Sequence, residues 1–147
     1  MSIYLENISF LNESNNSSKI ISLIKKLPDL DKPKPTSVQD IENAEKELGL
    51  KFTNEYKDCL KEFGYIGSGA TELAGITDVI PITKKEWKLN SNVSHNMYVI
   101  EVLGDGIIIW QDNSGCIYET LTRSSKPNKI ASSLYDYIKN VVMKRKY

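Results

Sequence analysis

The sequence predicts an α+β fold with helices in its first half, an antiparallel β-meander in its second half and one closing helix. Three observations lead to this prediction: capped helical repeats in residues 35–69, alternating apolar residues between Gly/Asp turns in residues 97–121, and a last helical repeat before a basic tail. Strands that follow helices, instead of alternating with them, are typical of the α+β class. We expect one domain over residues 1–147, a length that can bury a proper core.

The N-terminal part begins with residues 1–16, whose apolar residues fit either a strand or a short helix. Ser17 or Ser18 can then cap an amphipathic helix that stops at Pro28. The three prolines within residues 28–35 predict a stiff linker. The apolar residues of this first helix are Ile20, Ile21, Leu23, Ile24 and Leu27.

The clearest stretch of the sequence is a helical hairpin after the linker. Ser37 or Thr36 can cap its first helix, which Gly49 ends, since glycine adopts the left-handed conformation without a Cβ penalty. Thr53 can cap the second helix, and Gly64 ends it in the same way. The apolar residues at helical intervals are Val38, Ile41, Ala44 and Leu48, then Tyr56, Cys59, Leu60 and Phe63.

Glu45 interrupts the apolar stripe of the first helix, about 40° around the helix from Ile41. A carboxylate in that position is costly unless it is hydrogen-bonded or paired. It can be a structural anchor that accepts hydrogen bonds from the 64–69 loop or from the N-terminus of the second helix. It can also be a general base, but no nucleophile or set of metal ligands accompanies it, which favours the anchor.

This hairpin resembles the SUKH superfamily, the Smi/Knr-like family. The family pattern is a capped helix with a Glu and a Leu-Gly, then Leu-Pro, an acidic residue and Tyr, then an aromatic-Gly. Thr53 departs from it, because it stands where the family usually has Pro, although Thr does the same physical work as an N-cap. The resemblance is looser over residues 70–143 and absent before residue 17. The residues that carry it are Ile41, Glu45, Leu48, Gly49, Phe52, Tyr56, Leu60, Phe63 and Gly64.

Between the hairpin and the meander the sequence predicts short elements. The Gly-rich loop of residues 66–75 lacks the Lys-Ser/Thr of a phosphate-binding loop, so we interpret it as a turn into a strand over residues 70–74. Residues 79–82 contain Pro81 and are expected to be an edge or connecting segment. Residues 83–89 predict a short capped helix that carries Trp87.

The meander consists of three predicted strands. Residues 97–102 alternate, with Tyr98, Ile100 and Val102 on one face, and residues 107–110 form a near-continuous apolar strand that is expected to be central. Turns of the Gly/Asp type at 103–106 and 112–115 join these strands to a third at 116–121, which is followed by a polar loop at 123–129. The closing helix and its basic tail comprise Leu134, Tyr137, Ile138, Val141 and Val142, then Lys144, Arg145 and Lys146.

The search for catalytic, cofactor-binding or metal-binding residues finds no candidate constellation. His95 is the sole histidine and is expected in a surface loop. Cys59 and Cys116 fall in apolar patterns and are interpreted as buried free thiols of a reducing compartment. The formal net charge is zero, no apolar run is long enough for a membrane span and no signal peptide is evident. We therefore expect a cytoplasmic protein that binds neither nucleic acid nor membrane.

Charge is distributed unevenly along the chain. No Lys or Arg occurs from Leu89 to Thr122, so the meander carries only negative formal charge. This can be chance in a solvated sheet, or it can be an acidic face that steers a basic partner. Trp87 fits the core equally well. The candidate partner-binding residues are Glu101, Asp105, Asp112 and Glu119, with Trp87 and Tyr118 as aromatic anchors.

The resemblance supplies an expected function. Bacterial SUKH proteins are largely immunity proteins that bind and neutralise secreted polymorphic toxins, often nucleases. It implies a non-catalytic monomer or weak homodimer that occludes a basic cognate toxin. The alternative is a scaffold or regulatory protein, like the cell-wall regulators of the superfamily. A small enzyme is the third interpretation, which the absent catalytic constellation disfavours.

Overall fold

The structure, a computed structural model, describes residues 19–145. The predictions made for residues 1–16, for the cap at Ser17 or Ser18 and for Lys146 lie outside this range. The α+β prediction is confirmed: helices precede a four-stranded antiparallel sheet, and a short helix closes the chain.

Residues 19–145 form five α-helices and six β-strands. Two 3₁₀ turns, Gly104–Gly106 and Val142–Lys144, add to them. The elements are α1 (residues 19–24), α2 (Val38–Leu48), α3 (Asn54–Glu62), β1 (Ile66–Gly67), β2 (Glu72–Leu73), α4 (Ile76–Leu89), β3 (Met97–Val102), β4 (Ile108–Asp112), β5 (Ile117–Thr120), β6 (Asn128–Ala131) and α5 (Leu134–Asn140).

The predicted hairpin is formed by α2 and α3. The Ser37 hydroxyl accepts the Asp40 N–H at 3.1 Å, and the Thr53 hydroxyl accepts the Tyr56 N–H at the same distance. Gly49 follows α2 with a φ of 70°. The predicted apolar stripe is buried with one exception, Val38, which is exposed at the first turn of α2.

The linker before α2 has no regular secondary structure and packs against the end of α3 and against β1. The N–H groups of Asp31, Lys34 and Thr36 donate to the carbonyls of Gly67, Phe63 and Leu60, at 2.8–2.9 Å. Gly64 makes this approach possible, because a Cβ there would lie 2.1 Å from the Lys34 carbonyl oxygen. Its φ of 71° also favours glycine.

The prediction of an edge or connecting segment over residues 79–82 was wrong, because a single helix, α4, runs through Pro81. The helix predicted over residues 83–89 is confirmed as the second half of α4. The buried side of α4 is formed by Val79, Thr83 and Glu86, spaced at helical intervals, while the Pro81 ring is exposed. Proline fits a helical φ and removes one hydrogen bond. Packing of the buried side against α2 and β3 outweighs that loss.

The sheet has the order β3-β4-β5-β6, so the predicted central position of the apolar strand β4 is confirmed. The fourth strand, β6, was not predicted, and it begins within the polar loop predicted at residues 123–129. One sheet face contributes Tyr98, Ile100, Ile109 and Ile117 to the main core. The opposite face carries a second apolar cluster of Val93, Met97, Val99, Ile108 and Trp110.

The outer edge of β3 is covered by neighbouring polar groups. The Ala74 N–H donates to the Ile100 carbonyl at 2.8 Å, and the Val99 N–H donates to the Thr83 hydroxyl at 3.0 Å.

Within residues 19–145, no helix is both long and apolar enough to cross a membrane.

Candidate functional site

A β-bulge decides where the predicted acidic face lies. Consecutive β4 residues Trp110 and Ile109 pair with Val99 and Glu101, so Ile100 is an extra residue in β3. One extra residue exchanges the faces of everything beyond it. Glu101 therefore shares the core face with Ile109, whereas Val102, predicted to share the face of Tyr98, is exposed on the other.

Glu101 is consequently not an exposed partner-binding residue, which corrects the sequence prediction. Its side chain is 2% exposed and forms a bidentate ion pair with Arg145, at 2.7 Å to Nη1 and 3.0 Å to Nη2. The hydroxyls of Tyr137 and Thr71 donate to the same carboxylate. This Glu101 cluster joins β3, the 68–71 loop, α5 and the end of the described chain.

Burial and the charge of Glu101 shift the pKa values of Tyr137 and Arg145 within this cluster. Burial raises the pKa of Tyr137 far above its ordinary value, and the Glu101 charge adds to the rise. Burial alone would lower the pKa of Arg145, but hydrogen bonds and charge from Glu101 outweigh it and raise that pKa. Both groups therefore keep their protons, as the hydrogen bonds require.

Asp112 is also not part of an exposed acidic face, because its carboxylate is used within the protein. Its Oδ1 accepts the Ser114 N–H, the Ser114 hydroxyl and the Cys116 N–H at 2.7–3.0 Å, and its Oδ2 accepts the Tyr118 hydroxyl at 3.1 Å. Burial raises the pKa of Asp112, but these hydrogen bonds outweigh it and the net pKa is lowered. Asp112 therefore holds the β4–β5 turn together, and the Tyr118 hydroxyl already donates its hydrogen bond to this carboxylate.

The remaining predicted partner-binding residues lie in three different elements, α4, the turn after β3, and β5. Asp105 is exposed in a turn with a φ of 62°, and Glu119 is half-buried on β5. Trp87 is half-buried: its Nε1 donates to the Met97 carbonyl at 2.9 Å, and its ring stacks on exposed His95 with centroids 4.3 Å apart. Trp87 thus packs against the apolar clusters and anchors the loop before β3.

Glu45 has the anchoring geometry that the hairpin predicted. Its Oε2 accepts the Phe52 N–H at 2.8 Å, next to the N-cap of α3. Phe52 packs edge-on against the rings of Tyr56 and Tyr98, and the Tyr98 hydroxyl accepts the Thr53 N–H at 3.1 Å. The carboxylate therefore fixes the crossover between α2 and α3 above the sheet.

The cysteines partly depart from the prediction. Both are free, but only Cys59 is buried, and burial raises the pKa of its thiol; Cys116 is half-buried beside the β4–β5 turn. In the part of the chain that the structure describes, no group of three or more His, Cys, Asp or Glu residues could hold a metal ion.

Two features escaped the sequence analysis. Glu86, buried on α4, forms a bidentate ion pair with Arg123, at 3.2 Å from both Nε and Nη2. Exposed Tyr65 lies in a groove with Glu72 and Asp78. Neither feature has a local sequence signal, because each joins segments that are distant along the chain.

The chain matches a protein-family model. A family model for SUKH_5, described as SMI1-KNR4 cell-wall, matches residues 17–143, which is most of the chain. A search of curated proteins finds no significant relative. The matched range covers the hairpin, the sheet and α5.

Proposed function

The chain belongs to the SMI1-KNR4 (SUKH) family, and from this premise we propose that it is an immunity protein. It binds a cognate secreted toxin, in our proposal a nuclease, and neutralises it by stoichiometric occlusion without catalysis. The family match over residues 17–143 is the observation that carries the proposal. Neutralisation would take place in the cytoplasm of the producing cell, where such a toxin would otherwise act.

Electrostatics gives this proposal a physical route. A nuclease is basic where it grips phosphates, so a protein that blocks that surface needs exposed carboxylates. The described surface carries several that form no salt bridge, among them Asp31, Glu72, Asp78 and Asp105. Charge of this kind raises association rates at low salt, and tight occlusion then depends on buried anchors.

Co-expression tests the immunity function directly. Each toxin domain encoded beside this gene would be produced in a sensitive host, alone and together with this protein. We expect one of them to arrest growth alone, and growth to recover when the protein is present. A noncognate toxin of similar charge is the matched control and should remain lethal, because recognition requires more than opposite charge.

The stoichiometry supplies the second measurement. A catalytically inactive form of the rescued toxin should elute with the protein as a one-to-one complex in size-exclusion chromatography with light scattering. Growth arrest that persists with every neighbouring toxin would overturn the immunity proposal. Rescue with no complex would overturn the occlusion mechanism and point to an indirect effect.

The family description supports a second candidate function. It names the cell wall, which favours a non-catalytic scaffold or regulatory protein. A deletion strain separates the two candidates: a wall regulator should alter sensitivity to wall-synthesis inhibitors when no toxin is present. An immunity protein should leave that sensitivity unchanged.

A further inference from the structure

The groove beside β3 combines apolar and acidic groups in one exposed place. It has a volume of about 330 Å³, and Tyr65, Ile82 and Val102 provide apolar surface along it. Tyr65 is 40% exposed and Val102 is 51% exposed, which is high for large apolar side chains. Glu72 on β2 and Asp78 on α4 line the same groove and are both exposed. We call this the Tyr65 groove.

Two glycines leave the space that Tyr65 occupies. A Cβ on Gly67 would lie 2.7 Å from the Tyr65 ring and 2.2 Å from an Asp31 carboxylate oxygen. A Cβ on Gly75 would lie 3.1–3.2 Å from the Tyr65 backbone and Cβ. The absence of these side chains lets Tyr65 and Asp31 lie against the backbone, so a side chain at either glycine would displace Tyr65 from its position in the groove.

Apart from Glu101, the carboxylates in and beside the Tyr65 groove form no salt bridge among the described residues. None of the salt bridges formed by residues 19–145 involves Asp31, Glu72 or Asp78. Glu101 also lines the groove, but Arg145 pairs with it. Partial desolvation raises the pKa of Tyr65, and the Glu72 charge raises it further, with contributions from Asp31 and Asp78. All three carboxylates therefore act on the same ring.

We propose that the Tyr65 groove receives a basic, partly apolar segment of a partner protein. An Arg or Lys side chain lies over the Tyr65 ring and pairs with Glu72 and Asp78, while an adjacent apolar side chain covers Val102. A cation over an aromatic face is attracted by the ring itself as well as by nearby carboxylates. Phosphates would be repelled by the same carboxylates, which excludes nucleic acid as the occupant.

The groove proposal rests on the proposed function only for the identity of the partner, which would be the toxin. The groove also differs from the acidic face that the sequence predicted. Its unpaired carboxylates, Glu72 and Asp78, come from β2 and α4, and the one residue that it shares with the predicted face is Glu101, which is paired with Arg145. A matched pair of variants can therefore separate the two surfaces.

A peptide titration tests the groove without any toxin. The probe is acetyl-Arg-Leu-Arg-Leu-amide, added to the ¹⁵N-labelled protein at low salt, with acetyl-Glu-Leu-Glu-Leu-amide as the charge-reversed control. We expect saturable amide shifts centred on Tyr65, Glu72 and Val102, with a Kd of about 1 mM or tighter. The acidic peptide should produce none. Shifts spread over the surface, or none with the basic peptide, would overturn the proposal.

Two sets of substitutions sharpen the titration. Glu72→Gln with Asp78→Asn should weaken basic-peptide binding by about tenfold or more, whereas Asp105→Asn with Glu119→Gln removes the same charge elsewhere and should leave it unchanged. Tyr65→Phe should retain binding, and Tyr65→Ala should lose it. Equal effects from the two charge-neutralising pairs would show that net charge, not the groove, attracts the peptide.

The same variants separate this proposal from the immunity function. If the peptide binds in the groove and no toxin is neutralised, the groove proposal is supported and the immunity proposal is contradicted. If a toxin is neutralised equally well by wild type and by the Glu72→Gln/Asp78→Asn variant, immunity stands and the groove is not the contact. Loss of neutralisation in the Glu72→Gln/Asp78→Asn variant, but not in the Asp105→Asn/Glu119→Gln variant, supports both proposals.

Discussion

Glu101 and Asp112 are two carboxylates of one meander, both buried, and their hydrogen bonds reach very different parts of the chain. Asp112 accepts from Ser114, Cys116 and Tyr118, all within six residues. The nearest partner of Glu101 along the chain is Thr71, 30 residues away, and the furthest is 44 residues away. One carboxylate shapes a turn, and the other ties the end of the chain to the core.

The difference also lies in the charge of the partners. The donors to Asp112 are neutral backbone and hydroxyl groups of its own turn. The carboxylate of Glu101 is more deeply buried and depends on a guanidinium for compensation. A buried charge that loses its only counter-charge is much more costly than one that loses a neutral donor. The comparison therefore predicts a graded set of stability losses.

The largest effect should come from Arg145→Met, which leaves Glu101 buried without a cation. We expect the free energy of unfolding to fall by about 3 kcal/mol, the lower end of the range for breaking a buried pair, because Arg145 is partly exposed. Urea denaturation measures the loss. Lys144→Met is the matched control, since Lys144 is an exposed neighbour, and it should change little. Similar losses in both variants would show that Glu101 does not need its partner.

Asp112→Ala should have the next largest effect, because it removes the acceptor for four donors around the β4–β5 turn. We expect a loss of about 1 kcal/mol or somewhat more, because several hydrogen bonds are lost but their donors are only partly buried and water can replace the carboxylate in part. Asn113→Ala alters the adjacent, exposed residue of the same turn and provides the control in thermal or urea unfolding. If the two alanine variants unfold alike, the turn does not depend on the carboxylate.

The charge of Asp112 should contribute a smaller, pH-dependent part of this stability. Its pKa is lowered in the folded protein, so ionisation stabilises the fold above the unfolded pKa of about 3.9, and this contribution is lost as pH falls through the folded value. The stability difference between wild type and Asp112→Asn should therefore shrink on acidification. Glu55, whose pKa burial raises, has the opposite dependence but is present in both proteins and cancels. A difference that is constant with pH would contradict this account.

Arg123→Ala should have the smallest effect of the four, although its partner Glu86 is also buried. The Arg123 side chain is 53% exposed, so water and ions reach the pair, whereas the Arg145 side chain is 23% exposed. We expect a loss well below that of Arg145→Met, and one that diminishes as salt is added. If the loss equals that of Arg145→Met and does not change with salt, the Glu86–Arg123 pair is as well shielded from water as the Glu101–Arg145 pair.

The same contrast explains what the sequence could predict. The helical hairpin was predictable because its caps at Ser37 and Thr53 and its stop at Gly49 act within a few residues. The turn at residues 112–115 was predictable for the same reason. The role of Glu45 was also accessible, since its partner Phe52 lies only seven residues away.

What could not be predicted depends on distant packing. The bulge at Ile100 has no signature in an alternating sequence, yet it moves Glu101 into the core and Val102 out of it. Pro81 suggested a break, but burial of one side of α4 overrides that local preference. Strand β6 pairs through its backbone with β5, and its exposed polar residues gave no alternation to detect. The Tyr65 groove requires three separated segments to meet.

The covered edge of β3 has a consequence for recognition. Sheet edges often bind partners by strand addition, in which a peptide extends the sheet through main-chain hydrogen bonds. Here the Ala74 amide and the Thr83 hydroxyl already occupy the Ile100 carbonyl and the Val99 amide. A partner arriving at this side of the sheet must therefore be selected by its side chains, and the identity of its residues, more than its backbone shape, will determine whether it binds.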